Sequence, residues 1–535
     1  MNVLTDDLIE VRRTNGDERL SLPHILSSLL SGGEILQFPH LGTDQRSYWW
    51  RFLVRCGARA MRTADLSVKD MIHESERDLG ETLTIALLEH SELGDWELYQ
   101  PDPSLPGFLQ SPTPSGAPPK KDGYKENSAA LLTAIIGTKE HERKSELTRV
   151  RTLEDLVFAL VEYQGGVIFG GRGNYESQIM GSRSGAGSGT PFMGVSIDHS
   201  LSRTFRHDVA VLLRNWERTR DERGLRGTVW ALWRLSWDGN RALPAHDLDP
   251  TFIPYARMVR VGAPQDGLVG TVWFKASKGS RVSDHTEGGH LGDPFTPLVP
   301  HPKKDGHFKV RGTLQSGYDY REVVKLLVPT GDDEARRSPT VDALVSSPPS
   351  GVADLRVVFE GVAFEQGKTR GFHRRVVRLP LKAVRQGLFG QQIEPIHRVH
   401  RTMLDDTGNH ARRALQSGIS MLLSGTPKPS DDLRRKAEPV LLRFDDEVDR
   451  HYLDFLFQGA EQEANDDQGW RDTYRDWLYR LVVHEVFPIA VRSLPRNVGR
   501  RFEQEVRAEA YLTTRLKKAF DLFTNTPNAD TPEVA

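Results

Sequence analysis

Cysteine is almost missing from this chain: Cys56 stands alone among 535 residues, so neither an internal disulfide nor a CxxC-type zinc site can hold the fold, which must rest on packing. Net charge is missing too. With 71 basic against 73 acidic residues the formal charge is −2, so any contact with nucleic acid has to come from local patches rather than from an overall field. No run of about 18 apolar residues occurs and the N-terminal MNVLTDDLIEVRR has no apolar core, which supports neither a membrane span nor a signal peptide and makes a cytoplasmic location the expectation. Catalytic signatures are lacking as well. There is no HExxH, GxSxG or D-x-[DN]-x-[DN]-G; His397 and His400 have no carboxylate partner in a known metal pattern, and His484 reads as a boundary histidine. A metal-dependent nucleic-acid-processing enzyme built on dispersed carboxylates stays open as the alternative to a non-catalytic protein; no cofactor is expected.

What is abundant is glycine in one place. Between Gly165 and Gly189, GGVIFGGRGNYESQIMGSRSGAGSG holds nine of the 47 glycines of the chain. Glycine costs about 0.5–1 kcal/mol inside regular structure, so such a cluster belongs where φ is positive or where backbone must approach a partner closely; a plain flexible loop is the other reading. A phosphate loop needs GxxxxGK[ST] and a dinucleotide fold GxGxxG between strand and helix, and neither occurs. The nearest fragment, Gly185 to Thr190, lacks the lysine and runs into Pro191.

Hydrophobic patterning divides the chain in two. Over 1–382 short strands alternate with helices: a strand at Leu8 to Arg12 with a turn at Asn15-Gly16, a helix from about Ser47 to Met61, a proline-rich loop from Gln100 to Gly123, a charged stretch from Thr138 to Arg151, and a helix from Thr204 to Glu222. Residues 268–330 look strand-rich, with an Asp305-Gly306 turn. A strand at Leu355 to Phe359 and a return at Arg374 to Leu379 form a hairpin whose tip, Phe364 to Gly371, carries Gln366, Lys368 and Arg370. Over 383–535 apolar residues fall at helical spacing: Ile396 to Leu422, Val440 to Phe455, Trp470 to Val482 with Pro495 closing that helix, and Phe502, Val506, Leu512, Leu516 and Phe520. The expected fold class is α+β, a large mixed domain with short strands and a glycine-rich loop over 1–382, then a C-terminal four-helix bundle over 383–535.

Several of these fragments stand in an order that resembles a known family. MNVLTDDLIEVRRTNGDERLSL, Gly107-Phe108-Leu109-Gln110, the glycine tract ending in GSGTP, Leu291-Gly-Asp-Pro-Phe-Thr-Pro297, the Glu365-Gln366-Gly367 hairpin and the terminal helices together look like the large subunit of the type I-E CRISPR Cascade surveillance complex. The likeness spans nearly the whole chain, and its force lies in collinearity rather than in any one motif.

The resemblance implies a non-catalytic subunit of an RNA-guided antiviral complex that recognises the protospacer-adjacent motif (PAM) of double-stranded target DNA from the minor groove and helps open the duplex for R-loop formation. The implied partners are target DNA, guide crRNA, the other Cascade subunits (backbone, 5′-handle and small subunits), and a helicase-nuclease or a nuclease fused to another subunit; no membrane is involved. Carried over, the glycine loop is Phe169, Gly170, Gly171, Arg172 and Gly173, and the wedge is Gln366 flanked by Glu365 and Gly367, with Lys368 and Arg370 at the same tip for phosphates. The family's lysine maps onto Ser277 to Val282, where Lys278 and Arg281 are both candidates. Lys139, His141, Arg143 and Lys144 occupy the loop that docks near the guide handle and DNA. These residue types suit the task, because the narrow minor groove admits bare backbone and slim cations. Two departures stand out: where some relatives carry a zinc knot, GTVWFKASKGSRVSD has no cysteine, so no metal is expected, and NYESQIM lengthens the glycine tract.

Overall fold

The computed structural model describes residues 1–133, 150–166, 191–264, 268–277, 281–282, 292–303, 306–329, 335–365, 368–494 and 501–521. It separates into two units, one of Met1–Tyr318 with Lys325–Leu379 and one of Asp319–Val324 with Pro380–Ala535. The whole is a mixture of helices and strands. No helix among the described residues is long and apolar enough to cross a membrane.

In the first unit short strands gather into small sheets. Ile9 and Val11 are buried while Arg12 is exposed, the period-two signature of a half-buried strand. Ile9–Arg13 pairs antiparallel with Gly16–Leu20 through a two-residue turn, and Gly16 takes φ +132°, which a side chain would resist. The expected helix runs from Arg46 to Thr63. Three of its arginines, Arg51, Arg55 and Arg59, follow at four-residue spacing and are all buried. A guanidinium can be buried only if it is paired. Arg51 Nε lies 3.1 Å from Asp293 Oδ2, Arg55 Nη1 donates to the Phe252 carbonyl at 3.0 Å, and Arg59 Nη1 reaches Asp249 Oδ2 at 3.0 Å. Burial of Cys56 on the same helix pushes its thiol pKa up, so it stays an unreactive thiol.

The proline-rich segment Gln100–Gly123 lacks a helix, as its composition predicts, yet its middle is core. Phe108, Leu109, Gln110 and Ser111 are buried, which is possible because their polar groups find partners. Gln110 donates to the Leu98 carbonyl at 2.9 Å and accepts from the Val261 amide at 2.7 Å, while Arg260 donates to the carbonyls of Leu105, Ser111 and Gln100. The expected single helix over Thr204 to Glu222 is two, Leu201–Arg214 and Trp216–Arg223. Among the described residues of the strand-rich region three short strands form, Val272–Lys275, Leu298–Pro300 and Phe308–Val310, followed by a helix at Tyr320–Leu327. Asp305 of the expected turn lies outside the described residues.

The second unit is helical. Glu394–Asp405 and Arg413–Ser424 are joined without a break by a π-helical turn, Asp406–Arg412. Asp431–Glu463 is a single 33-residue helix. Gly469–Arg480 continues through a second π turn, Leu481–Val486, into Phe487–Ser493, and Arg501–Ala519 closes the described part. Glu394–Asp405 packs on Asp431–Glu463, and Arg413–Ser424 on Arg501–Ala519. Asp406, in the first π turn, takes both Nε and Nη2 of buried Arg475, at 2.9 and 3.1 Å, a fork-to-fork pair that locks two helices together. One expected stripe is corrected. Phe502 and Val506 are exposed at 81% and 50%, and the buried face of that helix is Ala508, Leu512 and Leu516, with Phe520 beyond its end; the apolar period starts one and a half turns later than hydrophobicity alone suggested.

His400 makes this unit acid-sensitive. Its ring pairs with the Tyr452 hydroxyl at 2.9 Å, and burial together with neighbouring His397 lowers its pKa to about 4. In the unfolded chain the ring charges near pH 6.5. The unfolded state therefore binds more protons between those values, and the stability present above pH 6.5 falls as pH drops through 4, by about 3 kcal/mol. Urea denaturation at pH 7 and pH 4 should show that loss in wild type and a smaller one in His400→Gln.

Candidate nucleic-acid interface

The hairpin expected around Gln366 is longer than its sequence signal. Leu355–Glu365 and Lys368–Leu379 pair along their whole length, from Leu355↔Leu379 to Glu365↔Lys368, so only Gln366 and Gly367 separate the strands where a tip from Phe364 to Gly371 was expected. Gln366 and Gly367 themselves lie outside the described residues. The register slips once. Ala363 pairs with Gly371 and Phe364 with Thr369, which leaves Arg370 as the extra residue of a bulge, exposed, beside a glycine at φ +137°. A bulge re-aims a side chain and sharpens the local twist. Arg370 is thereby turned out of the strand's alternation.

The hairpin's base is braced on one face by the Thr313–Tyr318 loop. Tyr318 donates its hydroxyl to the Glu360 carbonyl at 2.9 Å, and Arg375 donates to the Tyr318 carbonyl at 2.9 Å. Gly361 makes this approach possible, since a Cβ there would lie 2.0 Å from Thr313 Oγ1. On its inner edge Leu355–Glu365 pairs antiparallel with Phe192–Ile197, the strand that follows the glycine tract.

Phe169, Gly170, Gly171, Arg172 and Gly173 fall outside the described residues, but both stems of their tract are fixed. The incoming helix, Leu153–Gly165, starts with a capping box at Thr152 and Asp155 and ends against Tyr48; positions equivalent to Cβ at Gly165 and Gly166 lie 3.5 and 3.4 Å from that ring. The outgoing stem begins at Pro191, whose carbonyl accepts from Arg51. Tyr48 and Arg51 are neighbours one turn apart on the Arg46–Thr63 helix. The motif at 291–297 secures the same stem. Asp293 takes Arg51 and Thr296, the Met193 amide donates to the Phe295 carbonyl at 2.8 Å, and Phe295 stacks on Phe192 with centroids 4.9 Å apart.

The outgoing stem of the tract and the hairpin overhang lie at one end of one sheet. Phe192, first residue of its strand, pairs with Glu360, and the opposite strand runs on to Glu365. The hairpin therefore projects five residues past its neighbour, about 16 Å at strand rise, on the end from which the glycine tract emerges.

The remaining candidates separate. Arg281 is corrected: it is buried, its Nη2 donates to the carbonyls of Leu232 and Leu235 at 3.1 and 2.9 Å, its guanidinium lies 5.5 Å over the Trp237 ring, and burial lowers its pKa to about 10. A guanidinium so held is committed to the core and cannot enter a groove; Lys278, outside the described residues, is the candidate left. Lys139, His141, Arg143 and Lys144 lie outside them too. The segment that follows them is tied to the 268–275 region, since the Val269 amide donates to the Arg151 carbonyl at 2.9 Å. The strands carrying Glu365 and Lys368 end in register, opposite one another.

Among the described residues two groups could hold a metal, Glu10 with His40 and Glu154, and Asp405 with Asp406 and His410. Each has a structural use. Glu154 accepts the Glu10 amide at 2.9 Å and faces Arg19, and Asp406 is taken by Arg475. Sequence reasoning missed the buried arginines of the Arg46–Thr63 helix, whose only signal was their four-residue spacing.

Over nearly the whole chain the fold resembles those of solved CRISPR-associated proteins. It resembles Cse1 from Acidimicrobium ferrooxidans with a TM-score of 0.66 at 14% identity over 98% of this chain and 99% of that one. Thermobifida fusca Cse1 gives 0.65 at 15% identity over 98% of each chain. A chain of a structure described as a CRISPR RNA-guided surveillance complex gives 0.53 at 14% identity, over 96% and 99%. No protein-family model matches this sequence, and no curated protein does.

Proposed function

We propose that this chain is the non-catalytic large subunit of a type I-E CRISPR RNA-guided surveillance complex, working in the cytoplasm, which reads the PAM of double-stranded DNA from the minor groove and helps open the duplex. The observation that carries this reading is the shared origin of the glycine tract and the hairpin overhang at one end of the 192–197, 355–365 and 368–379 sheet. A tract of bare backbone suits a groove about 6 Å wide, and a two-residue tip at the end of an overhang of about 16 Å is long enough to reach a base step. Gln366 is the wedge, and Lys368 with Arg370 at the bulge meet phosphates. The whole-length likeness to Cse1 folds supports the same assignment.

In this reading the 139–144 stretch meets the guide crRNA handle, and the helical unit is a four-helix bundle docking the small subunits. Sequence is otherwise read by guide pairing, a division of labour known from a different RNA-guided system. Cleavage falls to a recruited helicase-nuclease or to a nuclease fused to another subunit. The test compares target duplexes with and without a PAM on assembled complex containing or lacking this chain. PAM preference should depend on the chain, and the purified chain with divalent metal should not turn over DNA or RNA. Turnover, or PAM preference without the chain, would refute the assignment.

A further inference from the structure

A cavity of about 320 Å³ opens beside the helix Trp216–Arg223. Arg218, Thr219, Glu222 and Arg223 line it from one face of that helix, as three- and four-residue spacings allow, and the 291–297 motif and the 335–342 segment supply most of the rest. Gly292 lets these elements close on one another: its φ is +78°, and a Cβ there would lie 2.4 Å from Thr219 Cγ2. Two of the carboxylates around the cavity are already taken, Asp293 by Arg51 and Asp342 by Arg337 at 2.8 Å. Exposed Glu222 is left against Arg218, Arg223 and Arg336. Among the described residues none of these three arginines has a carboxylate within ion-pair distance; Arg336 lies instead over the Phe308 ring, 3.6 Å from its centre. Arg223 is half-buried. Burial lowers its pKa, Glu222 raises it, and Arg336 and Arg218 lower it again. Guanidiniums stay charged in proteins, so three of them around one partly desolvated space repel one another, and a bound anion relieves the repulsion.

The kind of anion can be narrowed. Guanidinium forks match the paired oxygens of carboxylate and phosphate alike. A carboxylate brings one charge and two oxygens, too few for three arginines. A phosphate monoester brings about −1.5 to −2 at pH 7 and three free oxygens on one atom. The cavity is near the low end of the range for small-ligand sites, about 300–1,000 Å³, which is ample for a phosphate and part of what carries it. Among the described residues no aromatic ring lines it, so it offers a nucleobase no stacking platform. We infer that this cavity binds a phosphate group, held by Arg218, Arg223 and Arg336 with Asn215 beside them. The phosphate can come from a small phosphorylated molecule or from a nucleic-acid strand. The inference does not depend on PAM reading, because no residue of the hairpin or of the glycine tract's described stems lines the cavity.

The experiment titrates the full chain by calorimetry at fixed ionic strength with inorganic phosphate, pyrophosphate and the dicarboxylate glutarate, and in a second arm with a single-stranded oligonucleotide that lacks a PAM. Binding of either small phosphate, roughly tenfold or more tighter than glutarate, identifies a small-molecule site. Binding of the oligonucleotide alone identifies a strand phosphate, provided that the variants below weaken it. Binding in neither arm, or glutarate bound as tightly as the phosphates, overturns the inference. Arg218→Gln and Arg223→Gln should each weaken binding by roughly tenfold or more, with circular dichroism reporting the fold. Arg218 is exposed, so its replacement tests the site even where Arg223→Gln disturbs the packing. Arg220→Gln is the control, because Arg220 sits on the same helix outside the cavity, 3.6 Å from Glu217, and should bind as wild type does. Unchanged binding in Arg218→Gln and Arg223→Gln, or an equal loss in Arg220→Gln, puts the anion elsewhere and overturns the assignment.

Discussion

Gln366→Ala in an assembled complex should weaken binding to a PAM-bearing duplex by roughly 10- to 100-fold, about 1.4–2.8 kcal/mol, and leave the melting temperature of the chain unchanged. Separating a base step costs a few kcal/mol, which a wedge offsets by filling the gap and contacting the freed strands. The hairpin itself does not rely on this residue, since its strands pair in register from Leu355↔Leu379 up to Glu365↔Lys368 on either side of it. Binding measured by gel shift or interferometry on duplexes with and without the PAM gives the result. Equal affinity for wild type and variant would remove Gln366 from the wedge role. A duplex already mismatched next to the PAM should recover most of the loss, because the cost of opening has then been removed.

Asp293→Ala should destabilise the chain by about 3–5 kcal/mol, the cost of removing one partner from a buried ion pair. Asp293 accepts from Arg51 at 3.1 Å and from Thr296, and Arg55 Nη2 stands 3.5 Å away. Its loss leaves two guanidiniums with less than they need. Because Arg51 also holds the Pro191 carbonyl, the outgoing stem of the glycine tract should loosen, and PAM preference should fall at temperatures where the variant remains folded. Chemical denaturation gives the first number and duplex binding the second. A destabilisation under about 1 kcal/mol would mean that water replaces the carboxylate and that the Met193–Phe295 hydrogen bond and the Phe192–Phe295 stack hold the stem without it.

Much of the fold was legible because periodicity and turn residues act locally. The helix at Arg46–Thr63 and the opening strand Ile9–Arg13 fell within one or two residues of expectation. Longer-range effects were not legible. Phe192–Ile197, more than 150 residues earlier, backs the first strand only as far as Glu360, and beyond it the hairpin is carried by the pairing of its own two strands up to Glu365↔Lys368. Arg281 looked like a free cation, and only tertiary structure could turn the Leu232 and Leu235 carbonyls toward it. Phe502 was assigned to a core by hydrophobicity, yet it is 81% exposed. At the candidate site the glycine cluster and the Gln366 tip were both visible in the sequence, and what it could not supply was their common end. That comes from the antiparallel pairing of Phe192 with Glu360.

This common end is what most needs a direct measurement. A photo-crosslinking residue placed at Gly171 or at Gln366, in complex assembled on a target duplex, reports which bases each position touches. Crosslinks from both positions to bases of the PAM and the step beside it, lost when the PAM is scrambled, are the predicted result. Crosslinks from the two positions to separate regions of the duplex, or crosslinks indifferent to the PAM, would contradict it.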